Sequence, residues 1–286
     1  MICCIGSCAA LHLLHIYVSY IYSALESEDI TEFCREMETT WNPFSVLDDG
    51  KYIVCVLNQP VLSPTKLITL WRKAQYRATV DGGTSLWLEI VNNSTPDKDS
   101  INDVPNLITG DFDSADMSHV EHYRKLGAKI VKTPDQDYTD FTKCLQQLDT
   151  EAKTNNNTFA DIESIFAFVE SSGRLDQIMA NIQTLFLAPK IVKWPVMLMS
   201  SNTLSWMLPP GQHQIKTGKR VSEDSHCGII PIDGKAVLTT SGLKWNLKQE
   251  ALRFGDLVST SNGFDLTANS VKIITDKSVL WTMDFL

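Results

Sequence analysis

The strongest constraint on this chain is a series of short strand-like segments, several of which run into acidic or glycine-containing turns. Tyr52 to Leu57 is the clearest: six apolar residues in a row, bounded by Asp49-Gly50 before and Asn58-Gln59-Pro60 after. A run of that length without alternation fits a strand buried on both faces, as in a parallel sheet. Ile165 to Val169 reads as another buried strand, and Arg77 to Val80, Asn106 to Thr109 and Lys129 to Lys132 as further short strands. Helical patterns separate them. Leu67 to Ala74 is a short one. Ser114 is the expected N-cap of a second, with Met117, Val120 and Tyr123 as its apolar stripe and Gly127 just past its end. A third starts near Thr139, with Phe141, Cys144, Leu145 and Leu148 on one face, and a fourth covers Arg174 to Leu187. Alternating strands and helices predict an α/β domain with a parallel, Rossmann-like sheet over residues 46–192.

After Pro189 the pattern changes to short alternating segments broken by Pro209-Pro210-Gly211, Asp233-Gly234 and Asn262-Gly263. This predicts an all-β sandwich over residues 193–286. Residues 1–45 are expected to be an extension outside both domains. Positions 1–25 are largely apolar but contain His12 and His15 and lack a basic start. A loosely attached extension, a membrane-associated segment and a targeting signal are the three readings. From about Ser23 to Asp49 the chain is acidic and aperiodic, which reads as a tether.

The net charge of −9 argues against nucleic acid as a main partner. Seven cysteines, with no C-x-x-C pair and no zinc spacing, read as reduced thiols of a cytoplasmic protein.

Three acidic clusters fall just after three predicted strands: Asp81; Asp111 with Asp113; and Asp135, Asp137 and Asp140. In an open α/β sheet the ligand crevice lies outside the carboxyl ends of the strands. Carboxylates gathered there repel one another unless a hard cation sits among them, and Mg2+ with phosphate oxygens suits such a set. Each residue also has a plainer role. Any one Asp can be a turn or cap residue, Gly82-Gly83 a tight turn, Thr139 an N-cap, Lys143 a solvated lysine, and Arg174 with Asp176 a local surface pair. In their functional roles Gly82-Gly83 brings backbone N–H groups to a phosphate, and Arg174 and Lys143 supply positive charge. No Walker A loop is present. In the second domain, Trp245 beside Ser241 to Asn246, and the run from Leu257 to Asn262, read either as an exposed hairpin or as a flat slot for an aromatic heterocycle.

These residues sit in strings that closely resemble the eukaryotic thiamin pyrophosphokinase family: VLNQP at 56–60, VDGG at 80–83, TGDFDS at 109–114, TPDQDYTDFTKCL at 133–145, GRLDQIMANIQTLF at 173–186, TTSGLKWNL at 239–247, FGDLVSTSN at 254–262 and LWTM at 280–283. The resemblance implies a homodimer with its active site at the dimer interface. It implies transfer of diphosphate from Mg-ATP to the hydroxyl of thiamine, with AMP leaving. Carried over by motif, Asp111, Asp113 and Asp140 resemble the Mg2+-facing carboxylates, and Asp81, Gly82 and Gly83 part of the same cradle. Gln136 resembles a thiamine-side contact. Arg174 and Asp176 resemble nucleotide-side residues, with Thr139 and Lys143 close by. Trp245, Ser259, Ser261 and Asn262 resemble the lining of the thiamine and nucleotide pocket. One departure stands out. The family usually has a glycine-rich lead into GR-x-D, where this chain has Val169-Glu170-Ser171-Ser172. Side chains there are expected to crowd a bound nucleotide, and the alternative function is a non-catalytic binding relative or another Mg2+-dependent nucleotide diphosphotransferase on the same scaffold.

Overall fold

The computed structural model describes residues 38–94, 101–170 and 172–285. The expectations for residues 1–25, and for most of the extension, lie outside them. The tether expected up to Asp49 is corrected at its end. Glu38–Trp41 (β1) is a strand, and Pro43–Asp49 (α1) is a helix that buries Phe44, Val46 and Leu47. Both elements are too short to show a period, which is why this stretch reads as featureless.

Tyr52–Val56 (β2), Tyr76–Val80 (β3), Leu107–Gly110 (β4), Lys129–Lys132 (β5), Ser164–Phe168 (β6) and Val196–Met199 (β7) form the parallel part of the main sheet. The connecting helices are Pro64–Lys73 (α2), Gly83–Ser94 (α3), Met117–Lys125 (α4), Asp140–Thr154 (α5) and Leu175–Leu187 (α6). Of these, α3 is unanticipated. Its segment is expected to be a polar loop, but Trp87, Ile90 and Val91 give it a buried face. Apart from the edge strand β5, the parallel strands are buried on both sides, as an unbroken apolar run requires. In β2, Tyr52, Val54 and Val56 face one core with Trp71, Trp87 and Phe166, while Ile53 and Cys55 face the other with Leu145 and Ile165.

The sandwich strands are Thr203–Leu208 (β8), Gly211–Lys216 (β9), His226–Ile230 (β10), Ala236–Ser241 (β11), Glu250–Leu252 (β12), Ser259–Gly263 (β13), Ser270–Thr275 (β14) and Val279–Asp284 (β15). The two expected domains share one sheet. Its ten strands run β13-β10-β15-β8-β7-β6-β2-β3-β4-β5, so the antiparallel strands continue directly from the parallel ones. A five-stranded sheet, β1-β9-β14-β11-β12, covers the antiparallel end. The alternating burial of β8 and β9 is what packing on a single face demands. Trp41, on β1, lies 5.8 Å from Trp206 and donates from Nε1 to His213 Nδ1 at 3.1 Å, which ties the N-terminal strand into the sandwich.

In the main sheet the chain proceeds outward from β2 to β5, then returns to place β6 on the other side of β2. The order reverses between β2 and β6, and a crevice at the carboxyl ends of those strands is the expected ligand position.

Candidate active site

A cleft of about 590 Å³ opens at that reversal point. Leu57, Asn58 and Gln59, leaving β2, line one part of it. Asp81, Asp113 and Ser114 line another, and Thr139, Asp140, Arg174, Gln177 and Asn181 close the rest. Asp81 directly follows β3 in a left-handed backbone conformation (φ 48°) and is buried. Its Oδ2 accepts a hydrogen bond from Ser114 Oγ. Its Oδ1 is buried and has no hydrogen-bond partner. A buried carboxylate oxygen left without a partner is costly unless a cation meets it.

Two more carboxylates stand close enough to share a cation with Asp81. Asp81, Asp111 and Asp140 each offer one oxygen, and the three oxygens lie within 4.8 Å of one another. That span suits neighbouring and opposite positions around a hard cation with bonds of about 2.1 Å. Every member is held. Asp111 Oδ2 accepts from Gln136 Nε2 at 2.8 Å. That bond first, and then the Asp113 N–H and the nearby Lys143, keep its carboxyl below the usual range despite some desolvation. Lys143 is buried and donates to the carbonyls of Thr133 (2.9 Å) and Asp135 (2.7 Å). It stands 2.8 Å from Asp140 Oδ1 as an ion pair, off the hydrogen-bond direction. The oxygens are thus fixed but not saturated, and the trio fits a divalent cation such as Mg2+.

Close backbone packing puts Asp81 in place. A Cβ on Gly83, the first residue of α3, would stand 2.3 Å from Val56 O, and one on Gly82 would stand 2.4 Å from Asn58 Nδ2. The first obstacle is strand backbone and cannot yield. Gly83→Ala is expected to cost ~3 kcal/mol by forcing α3 off β2. A urea midpoint equal to wild type would show that this approach is not needed.

The C-terminal candidates lie elsewhere. Trp245 is 58% exposed, with Lys244 Nζ 4.8 Å from its ring centre. Asn262 is buried, accepting from Trp245 N (3.1 Å) and donating to Trp245 O (2.8 Å), so it pins the turn that presents the indole. Ser259 and Ser261 belong to β13. None of the four lines the cleft. In the ten-stranded sheet β13 stands seven positions from β3, or ~34 Å at the usual strand spacing.

Residues 67–196 match the family model described as thiamin pyrophosphokinase, catalytic domain, and residues 212–280 match thiamin pyrophosphokinase, vitamin B1 binding domain. The chain belongs to the thiamin pyrophosphokinase family. It is 34% identical over 239 residues to thiamine pyrophosphokinase 3 of Oryza sativa subsp. japonica, covering 81% of this chain and 86% of that one. It is 32% identical to thiamin pyrophosphokinase 1 of Caenorhabditis elegans, covering 87% and 96%. Among solved structures, thiamin pyrophosphokinase from Candida albicans superposes with a TM-score of 0.74 at 23% identity, over 87% of this chain and 93% of that one. The yeast enzyme superposes with a TM-score of 0.72 at 20% identity, over 88% and 92%. Those two likenesses concern the fold.

Among the described residues the carboxylates that converge are Asp81, Asp111 and Asp140, of which Asp81 is expected in the cradle and Asp111 and Asp140 as metal-facing. Asp113 lines the cleft but is exposed, and the neighbouring charges of Asp111 and then Asp81 raise its pKa. Ser114 is not the N-cap of α4. Asp116 takes that role, accepting from Ser118 N, which leaves Ser114 for Asp81. Thr139 does cap α5, accepting from Thr142 N at 3.1 Å. Lys143 is buried and held by the Thr133 and Asp135 carbonyls instead of being solvated. Gln136 is engaged on Asp111. Arg174 is exposed at the cleft and pairs through Nε with Asp176 Oδ1 at 3.1 Å, so the local pair and a place in the cleft wall coexist. Glu170 is buried and is not among the cleft-lining residues, and Ser171 lies outside the described residues. Asn58, Gln59, Gln177 and Asn181 are cleft residues that reading the sequence alone passed over. The spacing of Gln177 and Asn181, one helical turn apart on α6, was the available signal.

Proposed function

We propose that this chain transfers diphosphate from ATP to the hydroxyl of thiamine, yielding thiamine diphosphate and AMP. The observation that carries the reading is the convergence of Asp81, Asp111 and Asp140, with the partnerless Asp81 Oδ1, in a chain matching both a catalytic and a vitamin B1 binding model. Mg2+ held there would neutralise the triphosphate and stabilise charge developing at phosphorus. The chain's own residues supply position. Gln136 orients Asp111, Lys143 holds Asp140 and the 133–135 loop, and Ser114 turns Asp81. Arg174 presents a guanidinium at the cleft wall, steadied by Asp176, where it meets phosphate oxygens. Phosphoryl chemistry depends mostly on such positioning.

The active unit is a homodimer in this reading. Trp245, Phe254 and Leu257 are large, exposed apolar side chains near one edge of the sheet. Leu62, Leu175 and Met179 are exposed on elements that flank the cleft. Two incomplete half-sites on one chain suit an isologous pair in which each copy's Trp245 face covers the other's aspartate cleft. No helix among the described residues is long and apolar enough to cross a membrane. The free thiols of Cys55, Cys144 and Cys227 fit a reducing cytoplasm.

The deciding assay is AMP release from Mg-ATP with and without thiamine. AMP formed only with thiamine, and matched by thiamine diphosphate, is the expected result. Folded protein that binds thiamine but forms neither product would replace this reading with a non-catalytic one.

A further inference from the structure

Strand β6 lies between β2 and β7, so a residue leaving its end stands between the loops that leave both neighbours. Glu170 occupies that place and is buried. Its Oε1 accepts from Leu62 N (3.3 Å), in the loop after β2, and from Ser201 Oγ (3.2 Å), in the loop after β7. Its own backbone N–H donates to Gln59 Oε1 at 3.2 Å. Lys66, on α2, donates to Ser201 O at 2.6 Å and anchors the far side of this junction. Burying a carboxylate at a strand end is unfavourable without such contacts.

The loop that Glu170 holds carries Asn58 and Gln59 into the cleft. Asn58 Nδ2 donates to Ser114 Oγ at 3.2 Å, and Ser114 donates in turn to Asp81 Oδ2. Gly82 leaves the room that the Asn58 side chain fills. A connected path therefore runs from Glu170 through the loop after β2 to Asp81. We infer that Glu170 is a positioning residue: by fixing the loop at 57–63 it makes Asn58 and Ser114 aim Asp81 toward a divalent cation shared with Asp111 and Asp140. This rests on the cation reading of that trio.

The test uses the full chain and three readouts: amide exchange of the segment at 57–63, calorimetric binding of Mn2+ alone, and the thermal midpoint. Glu170→Ala is expected to speed exchange in that segment and to weaken Mn2+ binding roughly tenfold, the usual scale for losing an outer-shell support of a metal ligand. Glu170→Gln keeps an Oε1 acceptor and is expected to stay within about twofold of wild type. Ser201→Ala removes one of the two donors at a distance from the cleft and is expected to fall between them, which keeps the idea testable if Glu170→Ala does not fold. A lowered midpoint with unchanged Mn2+ affinity in Glu170→Ala would make the residue merely structural and overturn the inference. So would equal losses in Glu170→Gln and Glu170→Ala. Wild-type protein that binds no Mn2+ would defeat the cation reading as well, so the two failures are distinguishable.

Discussion

Asp81→Asn is expected to lower the rate of thiamine-dependent AMP formation roughly a thousandfold while leaving the fold intact, the scale on which preorganised charge acts at a reacting phosphate. The substitution is nearly isosteric, and Asn tolerates the left-handed backbone that Asp81 adopts. The Ser114 contact can persist through the amide. What disappears is the charge and the second carboxylate oxygen. That oxygen is buried without a partner, a destabilising feature of the cation-free protein. Asp81→Asn is therefore expected to melt at the same temperature as wild type or higher, and to show none of the Mg2+-dependent rise in melting temperature expected of the wild type. Asp113→Asn, at an exposed position outside the converging trio, serves as the comparison and is expected to cost less. Wild-type turnover in Asp81→Asn would remove this residue from the cation site and return the weight to Asp113.

Mixing two inactive variants is expected to restore about a quarter of wild-type activity. In the homodimer reading, Asp81→Asn is expected to disable the cleft half of the site and Trp245→Ala to strip the exposed indole from the other half. In an isologous dimer each site draws one half from each copy. Half of the randomly paired dimers are mixed, and each mixed dimer holds one site with both halves intact, so about one site in four is whole. Each variant alone stays near background. Trp245 is held by Asn262 of β13, a strand seven positions from β3 in the main sheet, so in the homodimer reading the two halves of a site come from different copies. Failure of the mixture to recover activity, with subunit exchange shown by mass, would place the Trp245 face outside the active site.

Reading the sequence worked where local chemistry decides structure. The strand at 52–56 and the helix capped by Thr139 follow from an unbroken apolar run and from an N-cap before an apolar stripe. It failed where elements are short or partners are distant. Residues 38–49 carry too few turns or alternations to show a period, yet β1 gains a full ladder from β9. Helix α3 was hidden behind Gly82-Gly83, which reads as a turn but is the point where the helix start presses on β2. Glu170 reads as a side chain in a normally glycine-rich lead, and only the structure shows that it bonds the loops after β2 and β7.

By itself the sequence determined the alternation of buried strands and helices, the predominance of short antiparallel strands towards the C-terminus, and the set of acidic residues at strand ends. Period, capping and turn chemistry are properties of neighbours along the chain. Only the tertiary structure decided which carboxylates meet, that Lys143 faces inward, that one sheet spans both halves, and that Trp245 stands far from Asp81 within one chain. Those outcomes depend on strand order, because strands adjacent in space need not be adjacent in sequence, and on which polar atoms find partners when the loops close over them.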